Sequence, residues 1–176
     1  MSRACKLPVD GVAFCPRCGE RTAQQVVDGA ERCVCRNPRC GYIDWHNPVP
    51  VVAALVRVDG HYILARNRAW PKGVFSVVSG FLESGERPED AVRREVEEEL
   101  GLRTYGVSQI GNFGFPAKNQ VLLAYEVEAD GIVRLNHELL EWQALSQAAL
   151  FNYDFGRLSV TQEIIAAWKR TRDRRT

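Results

Sequence analysis

Four of the five residues from Glu95 to Glu99 are glutamate, and they follow a glycine-bearing stretch, Gly80-Phe81-Leu82-Glu83-Ser84-Gly85-Glu86. Carboxylates are hard oxygen donors that suit Mg²⁺ or Mn²⁺, and those ions in turn suit phosphate substrates. On a helix, Glu95 and Glu99 lie only about 40° apart, with Glu98 about 60° from Glu95 on the other side. Glu97 sits about 200° from Glu95 and points away. Val92, Val96 and Leu100 recur every four residues and form the stripe such a helix would bury. Three carboxylates can therefore converge beside a loop that Gly80 and Gly85 make flexible. The helix by itself fits a second description, a solvated acidic face held by Arg93–Glu97 and Arg94–Glu98 pairs at i,i+4.

A different chemistry is written at the front of the chain. Five of the six cysteines fall between Cys15 and Cys40, as Cys15-Pro16-Arg17-Cys18-Gly19 and Cys33-Val34-Cys35-Arg36-Asn37-Pro38-Arg39-Cys40-Gly41. Short cysteine pairs, each followed by a glycine that permits a tight turn, form the pattern of a zinc ribbon. Cys15, Cys18, Cys35 and Cys40 are the expected tetrahedral set for Zn²⁺, with Cys33 as an alternative to Cys35 and Cys5 as an ordinary thiol. Disulfides are the competing use of such cysteines, but they suit an oxidising compartment. Met1 to Asp10 shows no apolar core of signal-peptide length, and no run approaches the roughly 18 apolar residues of a membrane span. The expectation is a cytoplasmic protein with a structural zinc that a module of this size needs in order to fold.

The elements that must position these groups can be read in outline. The sequence has 176 residues, enough for one ordinary domain plus a small module, placed here at 1–46 and 47–176. Strands are expected over Val51–Val58, His61–Arg66, Val74–Val78, Val107–Ile110, Gln120–Val127 and Ile132–Leu135, with Asp59-Gly60 as a hairpin turn. Pro88 to Leu100 reads as a helix: Pro88 suits its first turn, Glu89 and Asp90 its positive end, and Gly101 its C-terminal cap. Ser159 to Arg170 reads as a second helix, while Leu139–Leu145 fits helix and strand equally. The pattern is α+β, a mixed sheet with a helix on each side, in effect an α/β/α sandwich. A formal net charge of +1 gives no support for bulk electrostatic binding to nucleic acid or to an anionic membrane. The basic cluster Lys169–Arg175 is expected to be a solvated helix end.

The loop and helix together resemble the Nudix box, Gly-x5-Glu-x7-Arg-Glu-U-x-Glu-Glu-x-Gly-U, where U is a bulky aliphatic residue. Gly80, Glu86, Arg94, Glu95, Val96, Glu98, Glu99, Gly101 and Leu102 fill every fixed position. A chance match at a given start is well below ~1 in 10⁷, which decides against the solvated face. The resemblance implies a divalent-metal-dependent hydrolase that cuts a diphosphate linking a nucleotide to a further group. Carried over by position, Glu95, Glu98 and Glu99 are the catalytic, metal-binding carboxylates, and the carbonyl of Gly80 or its neighbour completes the metal shell. Glu86 and Arg94 brace the loop against the helix.

A zinc ribbon ahead of such a box resembles the NADH pyrophosphatase group and its FAD- and ADP-ribose-cleaving relatives. That group carries a Ser-Gln-Pro-Trp-Pro-Phe-Pro-x-Ser segment. Here Ser108-Gln109 and Phe115-Pro116 match it, but the Trp and the Pro-rich core are absent. The resemblance therefore does not select NADH over FAD or ADP-ribose. It also implies a further acidic residue in His137-Glu138-Leu139-Leu140-Glu141-Trp142, for which Glu141 is the candidate, as metal ligand or as water-activating base. Phe113 and Phe115, with Trp70, are aromatic surfaces on which a substrate ring could stack. A homodimer is an expectation carried by the resemblance alone. The competing function is a nucleotide-sensing module whose ribbon contacts nucleic acid or protein.

Overall fold

The computed structural model describes residues 13–173, so Cys5 lies outside the described residues. The chain divides into two compact units, Met1–Pro48 and Val49–Thr176. In the first unit, β1 (Thr22–Val27), β2 (Ala30–Cys35) and β3 (Ile43–Asp44) form an antiparallel sheet in that order.

The second unit is built on β4 (Val49–Val58), β5 (His61–Asn67), β6 (Val78–Phe81), β7 (Arg103–Phe115), β8 (Gln120–Asp130) and β9 (Leu139–Leu145). They join in the order β7-β8-β4-β5-β9, with β6 paired to β4. The sheet is mixed, because β4 runs parallel to β8 and antiparallel to β5 and β6. Among the described residues three α-helices accompany it: α1 (Pro88–Leu100), α2 (Gln147–Phe151) and α3 (Ser159–Asp173).

The near-continuous apolar run of β4 follows from its position, since a strand buried on both faces has no polar side. Val52, Ala54 and Val56 face the cluster containing Ala91, Val92, Val96 and Leu100 of α1. Val51, Ala53 and Leu55 face the opposite cluster with Ile164, Ile165 and Trp168 of α3. Val92, Val96 and Leu100 are each fully buried, and each such side chain contributes about 1.5–3 kcal/mol. Among the described residues, no helix is long and apolar enough to cross a membrane.

The structure corrects four sequence expectations. Ile132–Leu135 is not a strand. It lies under the C-terminal end of α1, where the Arg134 and Asn136 N–H groups donate to the Leu100 and Glu99 carbonyls at 2.7 and 3.2 Å. These carbonyls have no partner inside the helix, so the segment satisfies them. Next, β7 is far longer than Val107–Ile110. Gly106 and Gly111 each sit at a register shift in an otherwise continuous pairing with β8, the usual place for a strand glycine. Third, the strand expected at Val74–Val78 begins at Val78 and carries Gly80, which pairs with Val52. Finally, the basic end of α3 is not simply solvated: Lys169 Nζ donates to the Phe151 carbonyl, and Arg172 pairs with Glu126.

Candidate active site

The start of α1 has Pro88 in its first turn with Glu89 and Asp90. Gly101 closes it in the left-handed conformation, φ 65°, donating its N–H to the Glu97 carbonyl, a cap that only glycine adopts readily. This frame presents the glutamates to unequal surroundings. Glu99 is 6% exposed, and among the described residues no lysine or arginine pairs with it. Burial, reinforced by the Glu95, Glu138 and Glu98 carboxylates, pushes its pKa up to about 8. Burial also raises Glu95, against the pull of Arg94. Glu98 is more open, with 56% of its side chain exposed, and Glu97 is exposed.

Arg94 is the hub. Its guanidinium donates to Glu86 at 2.9 and 3.0 Å, to Glu95 at 2.7 Å, to Glu98 at 3.1 Å and to the Phe81 carbonyl at 3.2 Å. Glu86 also accepts the Glu83 N–H at 3.2 Å, so one arginine ties the loop, the end of β6 and the helix together. The hydrogen bonds from Arg94 hold the Glu86 carboxyl below the usual range. Gly80 serves a different need from loop flexibility. A Cβ at this position would lie 2.0 Å from the Glu95 carboxyl carbon. The bare Cα of β6 is the floor on which that carboxylate rests.

Glu141 stands on β9 opposite Arg66. The two form a bidentate pair, with Arg66 donating at 3.0 and 3.2 Å. That pairing draws the Glu141 carboxyl below its ordinary value. Arg66, itself 8% exposed, donates as well to the Trp70 carbonyl at 3.1 Å. In the same segment Glu138 acts electrostatically on both Glu95 and Glu99, as Glu98 also does. Sequence reasoning passed over Glu138, although it stands in the same acidic segment as Glu141.

A small cavity beside Glu99 is also lined by Trp70, Val77 and Ser79. The same three residues line a larger cavity of about 220 Å³ that reaches Phe115 and Lys118. Phe113 is half-buried against the α3 side of the core and is not among the residues lining that cavity.

The cysteine unit contains the tightest ligand cluster. The sulfurs of Cys15, Cys18, Cys35 and Cys40 all lie within 4.8 Å of one another, with Cys15–Cys40 at 3.6 Å and Cys18–Cys35 at 3.5 Å. Gly19 and Gly41 follow two of them in the left-handed conformation, φ 74° and 65°. Cys33 is buried on β2 outside this set. Burial pushes the Cys35 thiol up to about 12. At Cys15 burial is outweighed by hydrogen bonds from the Cys18 and Arg17 backbone, which bring the thiol down to about 7. Four thiolates so close need a cation, and the S₄ set fits Zn²⁺.

Residues 46–164 match the NUDIX domain family. Among curated relatives, the chain is 35% identical over 149 residues to the mitochondrial NAD(P)H pyrophosphatase NUDT13 of Mus musculus, covering 82% of this chain and 40% of that protein. It is 32% identical over 139 residues to the NAD-capped RNA hydrolase NudC of Pseudomonas aeruginosa, covering 78% of this chain and 49% of the relative. The chain thus matches less than half the length of either. Among solved structures, a NUDIX hydrolase from Nitrosomonas europaea superposes with a TM-score of 0.69 at 23% identity, over 90% of this chain and 89% of that one.

Proposed function

The chain belongs to the Nudix family, and from that premise we propose that it is a divalent-metal-dependent pyrophosphohydrolase. Its substrate is a nucleoside diphosphate linked to another group, such as FAD, ADP-ribose or NADH, cleaved to AMP and a phosphorylated partner. The observation that carries this reading is Glu99: a carboxylate 6% exposed, set among Glu95, Glu98 and Glu138, with no basic partner of its own among the described residues. Such a group is costly to ionise unless a cation joins it. The donor set therefore fits Mg²⁺ or Mn²⁺, held by Glu95, Glu98 and Glu99, with the Gly80 carbonyl as a further donor. When bound, the ion supplies charge neutralisation at the diphosphate.

The chain's own residues do the remainder. Water attacks one phosphorus, the bond to the bridging oxygen breaks, and that oxygen leaves on the partner phosphate. The proton of the water passes to a carboxylate of the set, and Glu138 is the fourth member in this reading. Glu141 acts at one remove: by fixing Arg66, which holds the Trp70 carbonyl, it positions the wall shared by the two cavities. Phe115 offers the ring surface for stacking in the larger cavity. The four clustered thiols fit a structural zinc and a reducing, cytoplasmic setting.

Incubation with FAD, ADP-ribose and NADH in Mg²⁺ or Mn²⁺, with products separated chromatographically, tests the proposal. AMP from at least one of them is the expected result. Inactivity across a broad diphosphate panel, with nucleotide binding retained, would assign the chain to the sensing class instead.

A further inference from the structure

Glu138 is the member of the acidic set that no regular element holds. Residues 131–138 form neither helix nor strand, and β9 begins only at Leu139. Arg94 engages Glu95 and Glu98, but among the described residues the Glu138 carboxylate accepts no hydrogen bond and forms no ion pair. An unpartnered carboxylate goes where its backbone goes. Whatever fixes the main chain of Glu138 therefore decides where its charge stands.

That main chain is pinned on both sides. The Glu138 N–H donates to Asn136 Oδ1 at 2.9 Å, and the Leu139 N–H donates to the same oxygen at 3.3 Å. The Glu138 carbonyl accepts the Arg68 N–H at 2.7 Å, while Arg68 Nε donates to the His137 carbonyl at 2.9 Å. A side-chain oxygen that accepts N–H groups two and three residues on is a turn device that asparagine and aspartate supply best. Asn136 does more than close a turn, because its own N–H donates to the Glu99 carbonyl at 3.2 Å. One residue thus reaches the main chain of both carboxylates.

We propose that Asn136 is a positioning residue for the reaction: bonded to Glu99 through its main chain and to Glu138 through its side chain, it fixes where Glu138 stands relative to Glu99 and so seats it in the metal-binding set. The inference rests on the pyrophosphohydrolase reading above and adds the residue that places its fourth carboxylate. Asn136 acts through Glu138, and Arg68 steadies the same segment from the end of β5.

The test measures kcat and KM on whichever of FAD, ADP-ribose or NADH the wild-type enzyme cleaves. Mn²⁺ binding to the substrate-free protein is followed in parallel by electron paramagnetic resonance. Asn136→Ala is expected to lower kcat about 10- to 100-fold and to weaken Mn²⁺ binding by a similar factor, with KM and circular dichroism little changed. Asn136→Asp, whose carboxylate oxygen accepts the same N–H groups, should recover most of both losses. In a Glu138→Gln background, Asn136→Ala should cost nothing further. Wild-type kcat and Mn²⁺ affinity in Asn136→Ala would overturn the inference. So would a loss of equal size in both backgrounds, since Asn136 would then act on α1 or on the fold at large. Full activity in Glu138→Gln alone would remove Glu138 from the set and the inference with it, leaving the pyrophosphohydrolase reading on Glu95, Glu98 and Glu99. No cleavage of any diphosphate overturns both.

Discussion

The two ligand-rich regions of this chain are built on opposite plans. In the cysteine unit, turns ending in Gly19 and Gly41 bring four sulfurs within 4.8 Å of one another. On α1, the acidic groups are kept from closing in this way. Among the described residues only the cysteines form so tight a set, because the Arg94 guanidinium engages Glu95 and Glu98 while Glu99 remains buried and unpaired. A closed set of soft donors holds an ion permanently and stabilises the fold. An open set of hard donors, with an arginine standing in for part of the positive charge, can take up an ion together with its substrate. On the proposed function, the difference is one between a structural and a working metal site.

The comparison breaks first at the helix. Glu98→Gln and Glu99→Gln should each lower turnover beyond the roughly 100-fold that losing a supporting residue costs, with circular dichroism unchanged. Glu97→Gln, on the exposed face, should be nearly silent; equal effects at Glu97 and Glu98 would end the assignment. In the cysteine unit, Cys15→Ser or Cys40→Ser should release zinc and unfold Met1–Pro48, as elemental analysis and proteolysis would report. Cys35→Ser should behave likewise, whereas Cys33→Ser should keep its metal; the reverse result would move the ligand role to Cys33.

How much of this could be read in the sequence depended on the range of the signal. The helix from Pro88 to Leu100 was legible because its cap, first-turn acids and buried stripe are all local. The cysteine spacing was legible for the same reason. Gly80 was misread as a flexible loop residue because its partner, the Glu95 carboxylate, lies 15 positions on and meets it only once β6 packs beside α1. Ile132–Leu135 looked like a strand because it carries the β-branched Ile132 and Val133, yet Ile132 is exposed and the Arg134 N–H is taken by the end of α1. Glu138 and Glu141 could not be separated by spacing. Only the pairing of β5 with β9, which sets Arg66 opposite Glu141, distinguishes them.

A milder substitution sharpens the account. Gly80→Ala inserts a Cβ where the Glu95 carboxylate rests, and a flexible side chain can move aside with little loss of stability. Thermal unfolding should shift by only a few degrees, while kcat falls about tenfold or more through misplaced metal; a variant as active as wild type would mean that Glu95 needs no fixed seat. The smallest effect concerns pH. Burial raises Glu99 from the ordinary 4.5 to about 8 and raises Glu95 as well. The metal-free folded protein therefore keeps protons that the unfolded chain releases above pH 4.5, and its stability should fall as pH rises from about 5 to 8. Glu86 and Glu141, whose pKa values are lowered, are already ionised in both states across that window. Glu99→Gln should flatten the slope in a urea-unfolding series, and an unchanged slope would show that Glu99 does not carry it.

The contrast between a closed and an open site is tested most directly by chelation. The purified protein is dialysed against EDTA, its zinc is counted by elemental analysis, and AMP release is followed before and after Mg²⁺ or Mn²⁺ is added back. About one zinc per chain is expected throughout, with activity lost on dialysis and restored by Mg²⁺ or Mn²⁺ alone. Activity that survives the loss of exchangeable metal, or that rises and falls with the zinc content, would contradict it.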